Sequence, residues 1–239
     1  MEEVVNKVPV AIVTGASRGL GWALAAELAR LGWRLVVDAR DPDRLERVVA
    51  TLPDGAVIAA IPGDIADPNH RQRLADAAAK AGGPSLLVNN ASVLGPSPRP
   101  TLADYPIDAL ERVYAVNTIA PLSLTQLVLA DLERHGGQII NVTSDAAVEA
   151  YPGWGGYGSS KAGLDQLSAV LAAEHPNLRV YAFDPGDMAT DLHQQAFPDD
   201  DISDRPAPET VIPALLRLVE GTLPSGRYRA TDLHRTETL

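Results

Sequence analysis

The glycine-rich turn Thr14-Gly15-Ala16-Ser17-Arg18-Gly19-Leu20-Gly21 stands between a continuous apolar run, Val8–Thr14, and a helical pattern over Gly19–Leu31. Such an apolar run is typical of a strand buried on both faces of a parallel sheet. The glycines allow a tight turn and a close approach of the backbone to a pyrophosphate, and the following helix turns its free amides toward an anion. This context predicts a nucleotide site, although a helix-entry turn without a ligand would have the same pattern.

Short apolar runs alternate with stretches of helical period along the rest of the chain. Further strands are predicted at Arg34–Asp38, Ala56–Ile61, Ser85–Asn89, Gln138–Val142 and Arg179–Phe183, and further helices at Pro42–Leu52, Pro68–Ala81, Ile107–Arg134, Tyr157–Ala173 and Pro208–Glu220. This alternation implies a doubly wound parallel sheet with helices on both faces, a three-layer α/β fold. No repeat, linker or charge block divides the sequence, so we expect residues 1–239 to form one domain.

The composition excludes several classes of function. The 239 residues include 20 basic and 31 acidic side chains, which give a formal net charge of −11, and there is no cysteine. This charge repels phosphate backbones and anionic lipid, so we expect neither nucleic acid nor a membrane as a partner. Without cysteine, disulfides, thiolate metal ligands and a thiol nucleophile are excluded.

Other sequence features favour a cytoplasmic protein without a bound metal. The sequence has no apolar run of about 18 residues, and its start lacks the basic region and apolar core of a signal peptide. The histidines show no metal-ligand spacing; they are His70, His135, His175, His193 and His234.

Two long irregular stretches, 92–106 and 187–207, follow predicted strands, at the edge where open α/β sheets bind ligands. Loops of this length are often functional lids. Their apolar residues indicate an apolar or mixed pocket, although packing within the lids would explain them equally well; they are Val93, Leu94, Tyr105, Met188, Leu192 and Phe197.

A tyrosine and a lysine occur four residues apart in Tyr157-Gly158-Ser159-Ser160-Lys161. On a helix these two positions share a face, so the phenol and the ammonium would point into the same space. A free tyrosine titrates near 10, and a neighbouring cation would lower its pKa toward the working range of an acid/base catalyst. As an isolated pair, the same residues would more often form a surface contact.

Two further polar residues precede this pair. Ser144 directly follows a predicted strand, so its hydroxyl would lie at the sheet edge, where it could bind a substrate carbonyl or cap the next turn. Asn117 interrupts a long apolar helix, where its side chain could bend or bridge that helix.

Together these motifs resemble the short-chain dehydrogenase/reductase family in its single-domain form, from about Val8 to Thr190. The glycine spacing is similar to that of the family's first turn. Asn89-Asn90-Ala91-Ser92 resembles its Asn-Asn-Ala-Gly motif, and Asp184–Thr190 resembles its Pro-Gly…Thr segment. The tail departs, because Pro224–Arg229 replaces the family's glycine-rich ending. The resemblance implies a Rossmann-type fold of about seven strands.

The resemblance also implies a catalytic tetrad of Asn117, Ser144, Tyr157 and Lys161. In the family the serine orients the carbonyl oxygen, the tyrosine transfers the proton, the lysine lowers the phenol pKa and holds the nicotinamide ribose, and the asparagine anchors a water that reaches the lysine. The implied cofactor contacts are Gly15, Ser17, Arg18, Gly19, Leu20, Gly21, Arg40, Asp64, Ile65, Asn90, Ala91, Tyr157, Lys161, Pro185, Gly186, Met188 and Thr190.

The end of the second predicted strand bears on the choice between NADP and NAD. An acid about 20 residues beyond the glycine turn would accept the ribose hydroxyls of NAD, and Asp38 stands near that place. Comparison with the family instead puts the selecting position at Ala39, followed by Arg40, with Arg18 as a second base in the turn. Guanidinium groups suit a 2′-phosphate, so we predict NADP rather than NAD. Otherwise both arginines would be exposed, with Arg40 paired to Asp38 or Asp43.

We therefore expect an oxidoreductase that interconverts a carbonyl and an alcohol of a small molecule with NADPH. The alternatives are an NAD(P)-dependent epimerase or dehydratase, which is usually longer, and a non-catalytic NADP-binding sensor. The apolar faces of the helix through Asn117 and of the helix after Tyr157 could pair between subunits, as in the family's dimers and tetramers. We expect a homodimer or homotetramer, although burial against the chain's own sheet would also explain those faces.

Overall fold

A parallel sheet of seven strands lies at the centre of the computed structural model, which describes residues 8–234. The strands are β1 (Val10–Val13), β2 (Arg34–Ala39), β3 (Val57–Pro62), β4 (Leu86–Asn89), β5 (Gln138–Val142), β6 (Arg179–Asp184) and β7 (Gly226–Arg229). Their order across the sheet is β3-β2-β1-β4-β5-β6-β7, and every neighbouring pair is parallel. The predicted fold is confirmed; residues 1–7 and 235–239 of the predicted domain lie outside the described residues.

Helices cover both faces of this sheet, as predicted. They are α1 (Gly19–Arg30), α2 (Pro42–Val49), α3 (Pro68–Lys80), α4 (Ile107–Tyr114), α5 (Ala120–His135), α6 (Gly155–Glu174), α7 (Asp191–Ala196), α8 (Ile212–Val219) and α9 (Ala230–His234). One core cluster joins α1, α2 and α8 to the sheet, and a second joins α3 and α5 to the opposite face. The molecule therefore has three layers.

The first strand contributes to both layers of the core. Ala11 and Val13 pack in the cluster of α1, whereas Val10 and Ile12 pack in the cluster of α3 and α5. Successive side chains of a strand point to opposite faces, so a strand covered on both sides requires an unbroken apolar run. The same run leads directly into the glycine turn.

The direction of winding changes between β1 and β4. β1 pairs with β2 on one side and with β4 on the other, and the remaining strands continue outward from these two. In open α/β sheets a crevice forms at this switch point, outside the carboxyl ends of the strands. The glycine turn and the Asn-Asn segment follow these two strands and therefore meet there.

The predicted helix Ile107–Arg134 is a single helical run with an internal irregularity. α4 passes into α5 through a π-helical segment, Ala115–Ile119, and Asn117 stands at its middle. Single-turn π segments inside helices are frequent at functional sites. The helix is therefore irregular at Asn117, as expected from the sequence.

The helical run Ile107–His135 is also long and apolar enough to cross a membrane by length and composition, with a mean hydropathy of 1.4. Half of its most apolar window is buried within the fold. On the α5 part, Leu124, Val128 and Leu132 pack against the sheet. Because a core helix meets the same criteria, its composition alone does not indicate a membrane span.

Two segments differ from the sequence prediction. The stretch 187–207, expected to be irregular, contains α7, because Thr190 Oγ1 accepts a hydrogen bond from the His193 amide at 3.3 Å and caps the helix. The apolar pattern predicted no strand after residue 183, although the resemblance implied about seven strands, and β7 pairs with β6 from Tyr181↔Gly226 to Asp184↔Arg229. β7 is an edge strand whose mostly polar residues form no apolar run, so the pattern did not reveal it.

Candidate active site

A cavity of about 840 Å³ opens at the carboxyl ends of the central strands. This volume falls within the usual range for small-molecule and cofactor sites. Of the predicted site residues, Gly21 and Asn117 do not line it. Those that line it are Gly15, Ser17, Arg18, Gly19, Leu20, Arg40, Asp64, Ile65, Asn90, Ala91, Ser144, Tyr157, Lys161, Pro185, Gly186, Met188 and Thr190.

The glycine turn forms the floor of one end of this cavity. Gly15 has φ +69° and Gly19 has φ +54°, a left-handed conformation that other residues rarely adopt. Gly21 is required for packing instead, since a Cβ on it would lie 2.4 Å from Asn90 Nδ2 and 2.5 Å from the Gly15 carbonyl oxygen. Gly21 thus allows α1 to pack closely against Gly15 and Asn90, and it does not face the cavity.

The start of α1 suits an anion. Its N-cap residue, Arg18, makes no side-chain capping hydrogen bond, and the first turn contains no acidic residue. The first N–H groups of a helix have no partner within the helix, and the helix dipole adds partial positive charge there. With the glycine turn beside them, these amides fit the pyrophosphate of a dinucleotide.

Asn90 and Thr14 hold the turn to β4. Thr14 Oγ1 accepts hydrogen bonds from the amides of Asn90 and Ala91, both at 3.0 Å. Asn90 Nδ2 donates to the Thr14 carbonyl at 2.8 Å and to the Gly15 carbonyl at 3.2 Å. The side chain of Asn90 therefore fixes the shape of the site, while the residue itself lines the cavity.

Asp38 is not free to bind a ribose. Its Oδ1 accepts the Gly15 amide at 2.7 Å, and its Oδ2 lies 2.9 Å from His70 Nε2. The residue is buried. The acid near the NAD-selecting position therefore binds the glycine turn and is not available to a ligand.

Basic side chains surround the same end of the cavity. Arg18 forms an ion pair with Asp191, the first residue of α7, and Arg44 Nη1 lies 3.3 Å from the same carboxylate. Burial would raise the pKa of Asp191, but its hydrogen bonds and ion pairs with Arg18 and Arg44 lower it. Arg44 was not predicted from the sequence, where its only signal is a base four residues after Arg40. Arg40 is exposed and lines the cavity.

Asp64 and Ile65 follow β3 and line the cavity next to these bases. Asp64 Oδ2 accepts from Arg112 at 2.6 Å, and its Oδ1 accepts from the Ala66 amide at 2.9 Å. Burial would raise the pKa of Asp64, but these hydrogen bonds and the charges of Arg112 and Arg40 lower it. This carboxylate is therefore ionised and held in place.

The nicotinamide segment predicted after β6 forms the opposite wall. Gly186 has φ +74°, and its amide donates to Asp184 Oδ1 at 3.1 Å. Thr190 caps α7, and Pro185 and Met188 line the cavity. The segment thus leads from the sheet directly into the lid.

Tyr157 and Lys161 lie one turn apart on α6 and both line the cavity. The Lys161 Nζ lies 5.7 Å from the centre of the Tyr157 ring and donates to the Val142 carbonyl at 2.8 Å. Both residues are almost fully buried. The predicted shared face of the helix is therefore present.

The electrostatics of this pair differ from the expectation. Burial raises the pKa of Tyr157, and the negative charges of Asp184 and Asp145 raise it further. A hydrogen bond with Ser92 lowers this pKa but does not offset the effect of burial. Burial lowers the pKa of Lys161 to about 8, while the charge of Asp165 raises it. Desolvation dominates, so the phenol pKa lies above its ordinary value and not near the working range that was expected. Tyr157 is a neutral phenol, the form that donates a proton.

Ser144 has the capping role that was considered for it. Its Oγ accepts from the Ala146 amide at 3.2 Å and so caps the 3₁₀ turn Asp145–Ala147. The same hydroxyl donates to Asp145 Oδ1 at 2.9 Å. It lines the cavity together with Tyr157, so it can turn its proton toward a substrate oxygen only by leaving Asp145.

Asn117 is fully buried and uses its whole amide group within the protein. Nδ2 donates to the Val93 carbonyl at 2.9 Å and to Ser160 Oγ at 3.0 Å. Oδ1 accepts from the Val93 amide at 2.9 Å and from Ser92 Oγ at 3.1 Å. The side chain therefore joins the π-helical segment to the first lid and to α6, which matches the bridging interpretation. The hydrogen-bond partners of its Oδ1 and Nδ2 are Ser92, Val93 and Ser160, and Lys161 is not among them.

Aromatic residues close the other end of the cavity. Trp154, which the sequence analysis missed, lies 5.8 Å from Tyr157 and 6.0 Å from Phe197, between ring centres. The Arg99 guanidinium lies 4.2 Å from the Trp154 ring centre and 4.6 Å from that of Phe197. Ser97 Oγ also donates to the Gln195 carbonyl at 2.8 Å. The two lids are therefore in contact.

Comparison with known proteins gives a consistent result. A family model described as short chain dehydrogenase matches residues 9–201. Sepiapterin reductase from Mus musculus is 36% identical over 202 residues, which cover 78% of this chain and 77% of the relative. The "NADPH-dependent aldehyde reductase-like protein, chloroplastic" of Arabidopsis thaliana is 32% identical and covers 77% and 73% of the two chains. The structure of an alcohol dehydrogenase from the archaeon Thermococcus sibiricus, complexed with 5-hydroxy-NADP, matches with a TM-score of 0.83 and 25% identity, covering 93% and 95%.

Proposed function

This chain belongs to the short-chain dehydrogenase/reductase family of NAD(P)-dependent oxidoreductases, and from this premise we propose that it reduces a small carbonyl compound with NADPH and Tyr157 as the general acid. The observation that carries the proposal is the buried, neutral Tyr157 beside Lys161 and Ser144, in one cavity with the glycine turn. A bound nicotinamide cofactor would supply the hydride.

The chain's own residues fit a dinucleotide along the whole cavity. The uncapped amides at the start of α1 and the left-handed glycines 15 and 19 suit the pyrophosphate. Asp64 and Ile65 would lie at the adenine end, and the Pro185-Gly186 turn with Thr190 at the nicotinamide end. Lys161 would hold the nicotinamide ribose.

The preference for NADP rests on charge. Arg18, Arg40 and Arg44 line the adenine end, and guanidinium groups bind phosphate with paired hydrogen bonds. Asp38, the acid near the NAD-selecting position, is already bound to Gly15 and His70. The Arabidopsis relative is named as NADPH-dependent, and the Thermococcus structure contains 5-hydroxy-NADP.

The proton moves from Tyr157 to the substrate oxygen as that oxygen becomes an alkoxide. Ser144 releases Asp145 and donates to the same oxygen, which fixes the carbonyl in the cavity. The Lys161 charge stabilises the phenolate left behind. In the reverse direction the same phenolate accepts the alcohol proton. General acid catalysis of this type contributes about 10²- to 10⁴-fold to the rate.

The lids indicate the substrate class. Trp154, Phe197 and Leu192 give the cavity an apolar side, while Asp145 and Asp187 give it a polar one. The substrate is therefore a carbonyl compound of mixed polarity, and the name of the mouse relative makes sepiapterin the first compound to try.

Self-association is proposed from the helices that leave apolar side chains exposed. Ile119 and Leu127 on the long helix and Val170 on α6 are exposed. We propose that these faces pair in a homodimer or homotetramer, which light scattering on the purified chain would show.

The deciding experiment measures oxidation of NADPH and of NADH with a panel of ketones and aldehydes that includes sepiapterin. Turnover with NADPH and a carbonyl supports a reductase. Binding of NADPH without turnover of any carbonyl or alcohol would favour the sensor alternative, and turnover of a nucleotide sugar without net cofactor oxidation would favour the epimerase or dehydratase.

A further inference from the structure

A partly buried group of charged side chains lies beside Ser144 and Lys161. Its centre is Arg227 on β7, with Asp165 of α6 and Asp184 of β6 on either side. None of the three belongs to the tetrad or to the predicted cofactor contacts. Arg227 also lies in the tail segment Pro224–Arg229, where the sequence departs from the family's glycine-rich ending.

The Arg227 guanidinium makes three hydrogen bonds. Its Nε donates to Asp165 Oδ2 at 3.0 Å, and its Nη2 donates to Asp184 Oδ2 at 3.0 Å and to the Ser144 carbonyl at 2.9 Å. The carboxylate of Asp184 is buried and that of Asp165 is partly buried, with side chains 4% and 16% exposed. A planar guanidinium can bind acceptors in several directions at once, which an ammonium cannot do with the same geometry.

Each of the three acceptors is connected to a different part of the candidate site. The carbonyl belongs to Ser144 itself. Asp184 uses its other oxygen to accept the Gly186 amide at 3.1 Å, which shapes the turn at the nicotinamide end. Asp165 stands one helical turn after Lys161, and its charge acts on that lysine.

We propose that Arg227 is a positioning residue that aligns the Ser144 peptide, the Pro185-Gly186 turn and the Lys161 turn of α6 for the reaction. The inference rests on the proposed function. Neutralising the carboxylates of Asp165 and Asp184 does not require a hydrogen bond to the Ser144 carbonyl. The hydrogen bond from Arg227 Nη2 to that carbonyl connects the edge strand β7 to Ser144.

Arg227 affects both the ionisation and the orientation of Asp165. Burial raises the pKa of Asp165, and Thr143, Arg227 and Lys161 oppose that increase. Arg227 therefore favours the ionised form of Asp165 beside the lysine, in addition to fixing its position. Asp165 Oδ2 is bound in a direction set by the rigid fork of Arg227.

The test uses Arg227→Lys, which keeps the positive charge between the carboxylates but removes the fork. The matched control is Arg229→Lys on the same strand, whose Nε lies 3.7 Å from Asp184 Oδ2 and whose side chain is 47% exposed. Backbone amide exchange is measured on the unliganded full chain by mass spectrometry. We expect exchange about tenfold faster in the peptides that contain 144–147 and 184–188, and unchanged exchange in β4 and α5. Exchange in Arg227→Lys that is faster in all peptides alike, or that equals the wild-type exchange in every peptide, would overturn the inference.

Kinetics give the second measurement. With a carbonyl that the wild-type enzyme reduces, kcat of Arg227→Lys per folded molecule should fall about 10- to 100-fold, with KM for NADPH within about threefold, because small misplacements of reacting groups cost about this much. Arg227→Ala should lose at least as much and recover in part with millimolar methylguanidinium. Unchanged kcat, or a loss that only follows the folded fraction measured by circular dichroism, contradicts the inference. An inactive wild-type enzyme contradicts the proposed function instead, and the exchange result then decides on Arg227 by itself.

Discussion

The carboxylate of Asp38 accepts the Gly15 amide at 2.7 Å and thereby ties the end of β2 to the glycine turn after β1. Its second oxygen binds His70 of α3, so three elements meet at one buried side chain. An acid that sequence spacing marks for a ribose is used here to build the phosphate end of the cavity.

Replacing Asp38 with Ala should lower the free energy of unfolding by about 1–3 kcal/mol, because it leaves the Gly15 amide and His70 without a buried partner. Urea unfolding measures this loss. Asp38→Asn keeps an acceptor for Gly15 and should lose less. Equal loss in both variants would show that the charge, not the hydrogen bond to the turn, is what matters.

Gly21→Ala should destabilise the turn, since the added Cβ would lie 2.5 Å from the Gly15 carbonyl oxygen. Overpacking of this kind costs about 1–3 kcal/mol, and thermal unfolding with and without NADPH measures it. Gly163→Ala on α6 is the control, because its Cβ would only touch Thr118 at 3.4 Å. A Gly21→Ala variant as stable as Gly163→Ala would contradict the assigned packing.

Tyr157→Phe should reduce kcat by about 10²-fold or more and leave the Kd for NADPH within about threefold, because only the proton donor is removed. Turnover and fluorescence titration measure the two quantities. Tyr114→Phe, on α4, should behave as the wild type. Retention of full turnover in Tyr157→Phe would mean that another group donates the proton.

Arg40→Asp should reverse the cofactor preference, with the ratio of kcat/KM for NADPH over NADH falling by at least about tenfold, since a phosphate contact is replaced by a like charge. The exposed Arg47 on α2 provides the control, Arg47→Asp. If both variants change the ratio equally, the effect arises from net charge and not from a 2′-phosphate contact at Arg40.

The buried lysine predicts a pH dependence of stability. Burial lowers the pKa of Lys161 from 10.5 to about 8, so between these values the unfolded chain binds one more proton than the folded one. The stability of the wild type relative to Lys161→Met should therefore rise with pH in this window, by about 3 kcal/mol if the lysine acts alone. The raised pKa of Tyr157 acts oppositely above about 10, where the unfolded phenol ionises first.

Urea unfolding from pH 7 to 10 gives this difference directly. Lys80→Met, at the exposed last residue of α3, is the matched control for replacing a lysine. A relative stability of Lys161→Met that stays constant over the window would contradict a depressed lysine pKa.

The sequence was enough to predict the doubly wound parallel sheet and the shared helix face of Tyr157 and Lys161, because apolar runs and helical spacing depend on local pattern. It was not enough to predict Arg44 or Trp154, whose place in the cavity depends on how distant segments pack. It also gave the wrong direction for the pKa of Tyr157, since helical spacing reports the neighbouring lysine but not the extent of desolvation. Asn117 was recognised as an anomaly, but its four hydrogen bonds to the first lid and α6 become visible only in three dimensions.

The pairing of β7 with β6 has a consequence for the order in which the protein is made. The proposed tetrad, from Asn117 to Lys161, leaves the ribosome well before Arg227, whose side chain reaches back to the Ser144 carbonyl. A nascent chain can thus contain all four of these residues while the strand that contacts Ser144 is still unsynthesised. With the role that we propose for Arg227, completion of the candidate active site is a late event of biosynthesis, tied to the docking of the last strand.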